Sequence, residues 1–239
     1  MAKPIKGSAA DGGRRNLTVK VKTAKKRTSG STRWLQRQLN DPYVAEAKRQ
    51  GYRSRAAFKL AEIDDKYRIL RSGQRVVDLG AAPGGWSQIA AERVRSGAGK
   101  GRVVAVDLSA IDALPGVEIL QLDVTEDGAR DRILAALGGK ADIVLSDMAA
   151  PAMGHRATDH IRVVALVETA LDITQELLAP GGTFLAKVFQ GGAGQELGTR
   201  LKQDFAKVQH VKPKASRAES PEVYVLATGF RRRRAPGIG

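Results

Sequence analysis

Lys187 stands in the run Phe184-Leu185-Ala186-Lys187-Val188-Phe189, a single lysine among apolar neighbours in what reads as a buried strand. An ammonium there is costly unless it is paired or neutral. A buried lysine whose pKa falls toward neutrality is suited to act as a base; the plain alternative is a lysine whose stem snorkels at a sheet edge. Upstream, Val76-Val77-Asp78-Leu79 runs into Gly80-Ala81-Ala82-Pro83-Gly84-Gly85-Trp86-Ser87. Glycines let a backbone approach a ligand where a Cβ would collide. Their spacing, at 80, 84 and 85 with a proline between, is not the G-x-G-x-x-G pattern that cradles a diphosphate. Asp78 can accept from an amino group and would repel a diphosphate. The loop therefore points to the zwitterionic methionine end of S-adenosylmethionine rather than to a nicotinamide dinucleotide, with Asp78, Gly80, Pro83, Gly84 and Trp86 as its contributing residues. Asp107, Asp123 and Asp147 follow the next three apolar runs. A carboxylate at 107 suits the two ribose hydroxyls of a nucleoside cofactor, and one at 123 suits an adenine amino group. Taken singly, each reads more simply as a helix cap; three in succession do not.

These residues need a scaffold that brings strand ends together. The pattern predicts strands at Arg75–Leu79, Arg102–Asp107, Glu118–Leu122, Asp142–Ser146, Thr183–Val188, His210–Pro213 and Val223–Thr228. Helices are predicted at Trp86–Arg95, Glu126–Leu137, Asp159–Leu178 and Gly194–Phe205. Two earlier helices are marked by Asp41-Pro42, a cap followed by proline at the first position, and by Ser54 as the cap of a helix running to Tyr67. Short apolar strands alternating with helices predict a Rossmann-like, doubly wound α/β fold. Its sheet should have seven strands, mostly parallel. The last two strands have no helix between them, so one antiparallel strand is expected.

Lys59 in Ser54-Arg55-Ala56-Ala57-Phe58-Lys59-Leu60, Asp147 in Ser146-Asp147-Met148-Ala149, Lys187, and Glu222 in Ser220-Pro221-Glu222-Val223-Tyr224 follow one another in the order Lys-Asp-Lys-Glu. With the glycine loop, this set resembles the FtsJ-type family of ribose 2′-O-methyltransferases, over about residues 33–230. The resemblance implies a class I methyltransferase fold and a catalytic set of Lys187, Lys59, Asp147 and Glu222. Lys187 would be the proton acceptor, Asp147 would position it near the methyl donor, and Lys59 and Glu222 would orient the hydroxyl. It also implies a uridine ribose of 23S ribosomal RNA, in the large ribosomal subunit, as the substrate. One stretch departs from the family, which reads Asp-Met-Ala-Pro-Asn after the fourth strand. Here the asparagine is missing and the proline falls one place later, in Asp147-Met148-Ala149-Ala150-Pro151-Ala152.

The charge distribution agrees with a polyanionic partner. The chain carries +15 overall; residues 1–30 contribute a net +8 and Arg231–Arg234 another +4, leaving a core close to neutral. Each phosphate neutralised by such arms releases counterions. The expected organisation is a basic disordered tail (1–32), a methyltransferase domain (33–230) and a basic C-terminal tail (231–239). Arg33, Arg37, Lys48, Arg49, Arg53 and Arg55 flank Lys59 and suggest a basic floor for RNA. The absence of cysteine excludes disulfides and thiolate metal sites, and three histidines make a dedicated metal site an unlooked-for feature. No apolar run is long enough to span a bilayer, and no signal peptide is evident. A monomeric, cytoplasmic protein is expected. Rival readings are methylation of tRNA or another RNA, a non-catalytic ribosome-assembly factor and, more distantly, a dinucleotide-dependent oxidoreductase.

Overall fold

The valine-rich runs that the sequence marks as strands become the centre of a single seven-stranded sheet. In the computed structural model, residues 19–20, 23, 29–149, 156–190 and 195–231 are described. Most of both tails and the Ala150-Pro151-Ala152 departure lie outside them. The chain divides into two compact units, residues 1–45 and 46–239. In the first, α1 (Ser29–Leu39) precedes Asn40. The Asn40 amide accepts from the Val19 N–H at 2.8 Å and donates to the Val19 carbonyl at 3.0 Å. The next helix, α2 (Pro42–Gln50), begins as its sequence predicts: the Asp41 carboxylate accepts from the Tyr43 N–H at 3.0 Å.

The second unit continues with α3 (Ala56–Tyr67), β1 (Arg75–Leu79), α4 (Gly85–Val94), β2 (Arg102–Asp107), β3 (Val117–Gln121), α5 (Ala129–Leu137), β4 (Ala141–Ser146), α6 (Arg156–Leu177), β5 (Leu178–Phe189), α7 (Gln195–Asp204), β6 (Phe205–Val211) and β7 (Glu222–Phe230). The strand order is β3-β2-β1-β4-β5-β7-β6. Strands β1 to β5 pair in parallel, and β7 runs antiparallel to both β5 and β6. This is the expected doubly wound sheet with one reversed strand.

Side-chain alternation sorts the core into two faces. Val77, Val144, Phe184 and Val225 face α5, α6 and α7, against Ile133, Leu171 and Leu201. Val76, Ile143, Leu145, Leu185, Tyr224 and Leu226 face α3 and α4, against Leu60, Ile63, Trp86 and Ile89. Lys187 shares the parity of Leu185, and Glu222 that of Tyr224. The face covered by α3, the helix that carries Lys59, is therefore the face on which the strand-borne charges converge.

Three local expectations are corrected. Ser54 does not cap α3: Arg55 takes the N-cap position without a side-chain capping bond, and the Ser54 hydroxyl is buried against Gly85 with no hydrogen-bond partner among the described residues. The sixth strand begins at Phe205, five residues before the predicted His210. Phe205 packs between Phe184 and Phe230 as a sheet residue rather than ending a helix. The seventh starts one residue earlier than predicted, so that Glu222 itself pairs opposite Phe189.

Candidate active site

At the carboxyl ends of β1, β2 and β4 the chain leaves the sheet through loops that enclose a cavity of about 490 Å³. That end of an open parallel sheet is where ligands bind. Gly80, Asp107, Asp123 and Asp147 line it, together with Leu108 and Met148. Gly80 has φ +71°, and a Cβ there would strike Met148, so the close packing of the two loops requires glycine. The Asp107 carboxylate accepts from the Ala82 N–H at 2.9 Å and from the Ser109 N–H at 2.7 Å, which fixes its orientation in the cavity wall. Asp123 accepts from the Thr125 N–H (2.9 Å) and hydroxyl (2.7 Å). These bonds hold its carboxyl below the usual range.

Of the loop residues expected to contribute, Asp78, Pro83, Gly84 and Trp86 do not line the cavity. The Trp86 side chain is buried between α3 and the sheet; its indole N–H donates to the Ala56 carbonyl at 2.8 Å and its ring lies 5.5 Å from that of Tyr224. Gly84, with φ +108°, turns the chain into α4, and Pro83 is exposed. Asp78 lies fully buried beneath the loop. One of its oxygens accepts from the Ser87 hydroxyl at 2.6 Å, while the other has no partner among the described residues. Desolvation pushes its carboxyl up to about 7 against the Ser87 hydrogen bond, and the nearby charges of Asp147 and Asp107 add to the rise.

Beside the cavity, two ion pairs meet over one tyrosine. The Lys187 ammonium lies 3.1 Å from Asp147 Oδ1 and donates to the Asp147 carbonyl at 2.7 Å. The Lys59 ammonium lies 2.7 Å from Glu222 Oε1 and donates to the Tyr224 hydroxyl at 3.1 Å. That hydroxyl has one proton and two carboxylates in reach: Asp147 Oδ1 at 3.1 Å and Glu222 Oε1 at 3.2 Å. Burial and these two carboxylates raise the phenol well above its ordinary value, so it stays a donor. Desolvation would raise Glu222, but the Lys59 ammonium and its hydrogen bond outweigh it, helped by the Ser216 hydroxyl (2.9 Å) and the Lys187 charge, and the carboxyl is held below its usual range. Two cations and two anions thus balance in a largely buried cluster. Asp147 belongs to both structures, lining the cavity and binding Lys187.

Lys59, Asp147, Lys187 and Glu222, separated by as many as 163 positions in sequence, are thus brought into one cluster. Sequence reasoning passed over Tyr224 and Ser216. Tyr224 carried a readable signal, since it sits two places after Glu222 and so on the same face of a strand. Two of the cations assigned to an RNA floor face protein instead. The Arg53 guanidinium donates to the carbonyls of Pro83, Asp112 and Ala113, and that of Arg55 donates to the carbonyl of Ala215. Among the described residues no group of three or more His, Asp or Glu has the geometry of a metal site, and no helix is long and apolar enough to cross a membrane.

A Rossmann-like sheet ending in one antiparallel strand, with carboxylates at successive strand ends, is the architecture of class I methyltransferases. The FtsJ-like methyltransferase family model matches residues 52–230, and the chain belongs to that family. It is 60% identical over 234 residues to the ribosomal RNA large subunit methyltransferase E of Parvibaculum lavamentivorans, covering 95% of this chain and 92% of that protein. With the protein of the same name from Bradyrhizobium diazoefficiens the identity is 62% over 215 residues, 90% of this chain and 94% of that one. Among solved structures, a ribosomal RNA methyltransferase from Plasmodium falciparum superimposes with a TM-score of 0.66 at 31% identity, covering 75% of this chain and 98% of that chain.

Proposed function

We propose that this methyltransferase moves the methyl group of S-adenosylmethionine to the 2′-hydroxyl of a uridine ribose in 23S ribosomal RNA, within the large ribosomal subunit. The observation that carries the reading is the double placement of Asp147, which ties a carboxylate-lined cavity to a lysine fit to handle a proton. The donor set fits the cofactor. S-adenosylmethionine offers an ammonium, two ribose hydroxyls and an adenine amino group, and three carboxylates supply acceptors for such groups where a diphosphate would be repelled. The cavity volume lies within the range of small-molecule sites, about 300–1,000 Å³. Relatives at 60% identity and above that are named for ribosomal RNA methylation support the substrate class.

Bound S-adenosylmethionine supplies a sulfonium-activated methyl carbon, already a strong electrophile. The protein's task is alignment and proton removal. Lys187, whose Asp147-paired ammonium must first release a proton to solvent, would take the proton from the ribose 2′-hydroxyl as the carbon–oxygen bond forms and the methyl carbon–sulfur bond breaks, and Asp147 would fix its Nζ at the cavity edge. Lys59, held by Glu222 and Tyr224, presents a positive charge to the oxygen as its negative charge grows. Asp107 holds the cofactor ribose and Asp123 the adenine, while Asp78, Gly80, Pro83, Gly84 and Trp86 shape the loop around them. Residues 33–230 form the catalytic domain, and the protein works as a monomer in the cytoplasm.

The deciding experiment incubates purified protein and radiolabelled S-adenosylmethionine with large subunits lacking the modification, and with naked 23S RNA and tRNA in parallel. Label on a single uridine ribose of the subunit RNA is expected. Label on tRNA alone would reassign the substrate, and no transfer to any of the three would leave a binding factor without catalysis.

A further inference from the structure

Arg53 lies between α2 and α3, in the row of cations that the sequence assigns to RNA. Its guanidinium is spent on protein. It donates to the Pro83 carbonyl at 3.1 Å, to the Asp112 carbonyl at 2.7 Å and to the Ala113 carbonyl at 2.7 Å. Its own N–H donates to Gln88 Oε1 at 2.8 Å, and the Gln88 amide donates to the Gly51 carbonyl at 3.0 Å, so the arginine's backbone is fastened to α4. The three carbonyls belong to two different loops. Pro83 is in the glycine loop after β1; Asp112 and Ala113 are in the loop after β2, which starts with the cavity-lining Leu108 and Ser109. The Ala82 N–H, donating to Asp107, joins these loops at their base. Arg53 joins them further out, where neither is helix or strand. Its side chain also packs beside Gly84, where a Cβ would sit 2.7 Å from Leu114 and 3.4 Å from the Arg53 chain. A planar fork with five donors can hold three acceptors in fixed directions, whereas a lysine ammonium is a point charge on a flexible stem.

We infer that Arg53 is a positioning residue for the methyl-donor cradle: it ties the loops after β1 and β2 together and so sets the width of the cavity between them. The inference rests on reading that cavity as the S-adenosylmethionine site. Arg53 touches no reacting atom in this role. Its contribution is to fix the cradle before the ligand arrives, which spares the ligand the cost of ordering it.

The test uses the full chain with Arg53→Ala and Arg53→Lys. S-adenosylhomocysteine binding is measured by calorimetry, RNA binding by filter retention, and methylation kinetics with each substrate varied in turn. Both variants should bind S-adenosylhomocysteine about tenfold more weakly, a loss on the scale of one charge-assisted hydrogen bond. KM for S-adenosylmethionine should rise in parallel, kcat at saturation should stay within about threefold, and RNA affinity should be unchanged. Lysine should fail to rescue because it keeps the charge but not the fork. Unchanged S-adenosylhomocysteine affinity would overturn the inference, as would a loss of RNA affinity that lysine restores, the signature of a phosphate contact. Should the wild-type chain itself bind no S-adenosylhomocysteine, the cofactor reading of the cavity falls, and the role of Arg53 with it. Arg53→Lys keeps the test alive if the alanine variant does not fold.

Discussion

Lys187 and Asp78 are both ionisable groups set into the sheet, and their surroundings treat them in opposite ways. Lys187 has a carboxylate at 3.1 Å and a carbonyl at 2.7 Å, so its charge is matched. Replacing it with alanine should lower methyl transfer by about a hundredfold or more, the usual weight of a positioned base. S-adenosylhomocysteine binding should stay nearly intact, because Asp147 remains at the cavity wall; turnover near wild type would remove Lys187 from the base role. Asp78 has no matching cation among the described residues. Its carboxyl is pushed from an ordinary 3.8 up to about 7, so the folded state holds its proton more tightly than the unfolded chain. The stability this gives is fully present below about pH 3.8 and is lost as pH rises through about 7. Asp78→Asn, which keeps a neutral group in place, should therefore gain melting temperature relative to wild type at pH 8, with the gain shrinking toward pH 5. Parallel melting curves across that range would contradict the assignment.

Elements differed in how plainly the sequence announced them. Strands β1, β2 and β4 are apolar on both sides because helices cover both faces, and such runs are legible without knowing the fold. The reversed β7 also followed from the missing helix before it. The edge strand β6 did not: Lys207, Gln209 and His210 break its pattern, and its first residue, Phe205, reads as the end of a helix. In the candidate site, Lys59, Asp147, Lys187 and Glu222 were legible through a family pattern in their order. The tyrosine between them was legible only from its place two residues after Glu222, and the inward turn of Arg53 was not legible at all, because it depends on contacts with loops 30 to 60 positions away. The helix that brings Lys59 is held by Leu60 and Ile63, both essentially unexposed. Leu60→Ala should cost about 2–5 kcal/mol in urea denaturation, the range for such truncations. It should also lower activity beyond the loss of folded protein, since α3 carries the lysine of the Glu222 pair.

Across the whole molecule, charge and chemistry are kept apart. The cluster of Lys59, Asp147, Lys187 and Glu222 is internally balanced, while the net positive charge is concentrated in segments at the two ends of the chain. RNA attraction and methyl transfer should therefore be separable. Replacing Lys20, Lys22, Lys25, Lys26 and Arg27 with glutamine should weaken RNA binding and flatten its dependence on salt, each lost phosphate contact removing about 0.7–0.9 from the logarithmic slope. kcat at saturating RNA should not move. An unchanged slope would show that these cations do not contact RNA.

The reversal of β7 has a consequence for when the enzyme becomes an enzyme. Because that strand runs against its neighbours, Glu222 and Tyr224 arrive at its beginning, beside the ends of β4 and β5, yet they are among the last residues of the sheet to be synthesised. A nascent chain released from the exit tunnel only as far as β6 already has its glycine loop, its strand-end aspartates and both lysines. It still lacks the glutamate that holds Lys59 and the tyrosine that joins the two ion pairs. With Lys59 and Lys187 in the roles proposed above, a chain truncated before β7 should transfer no methyl group, and activity should require the pairing of that last strand with β5.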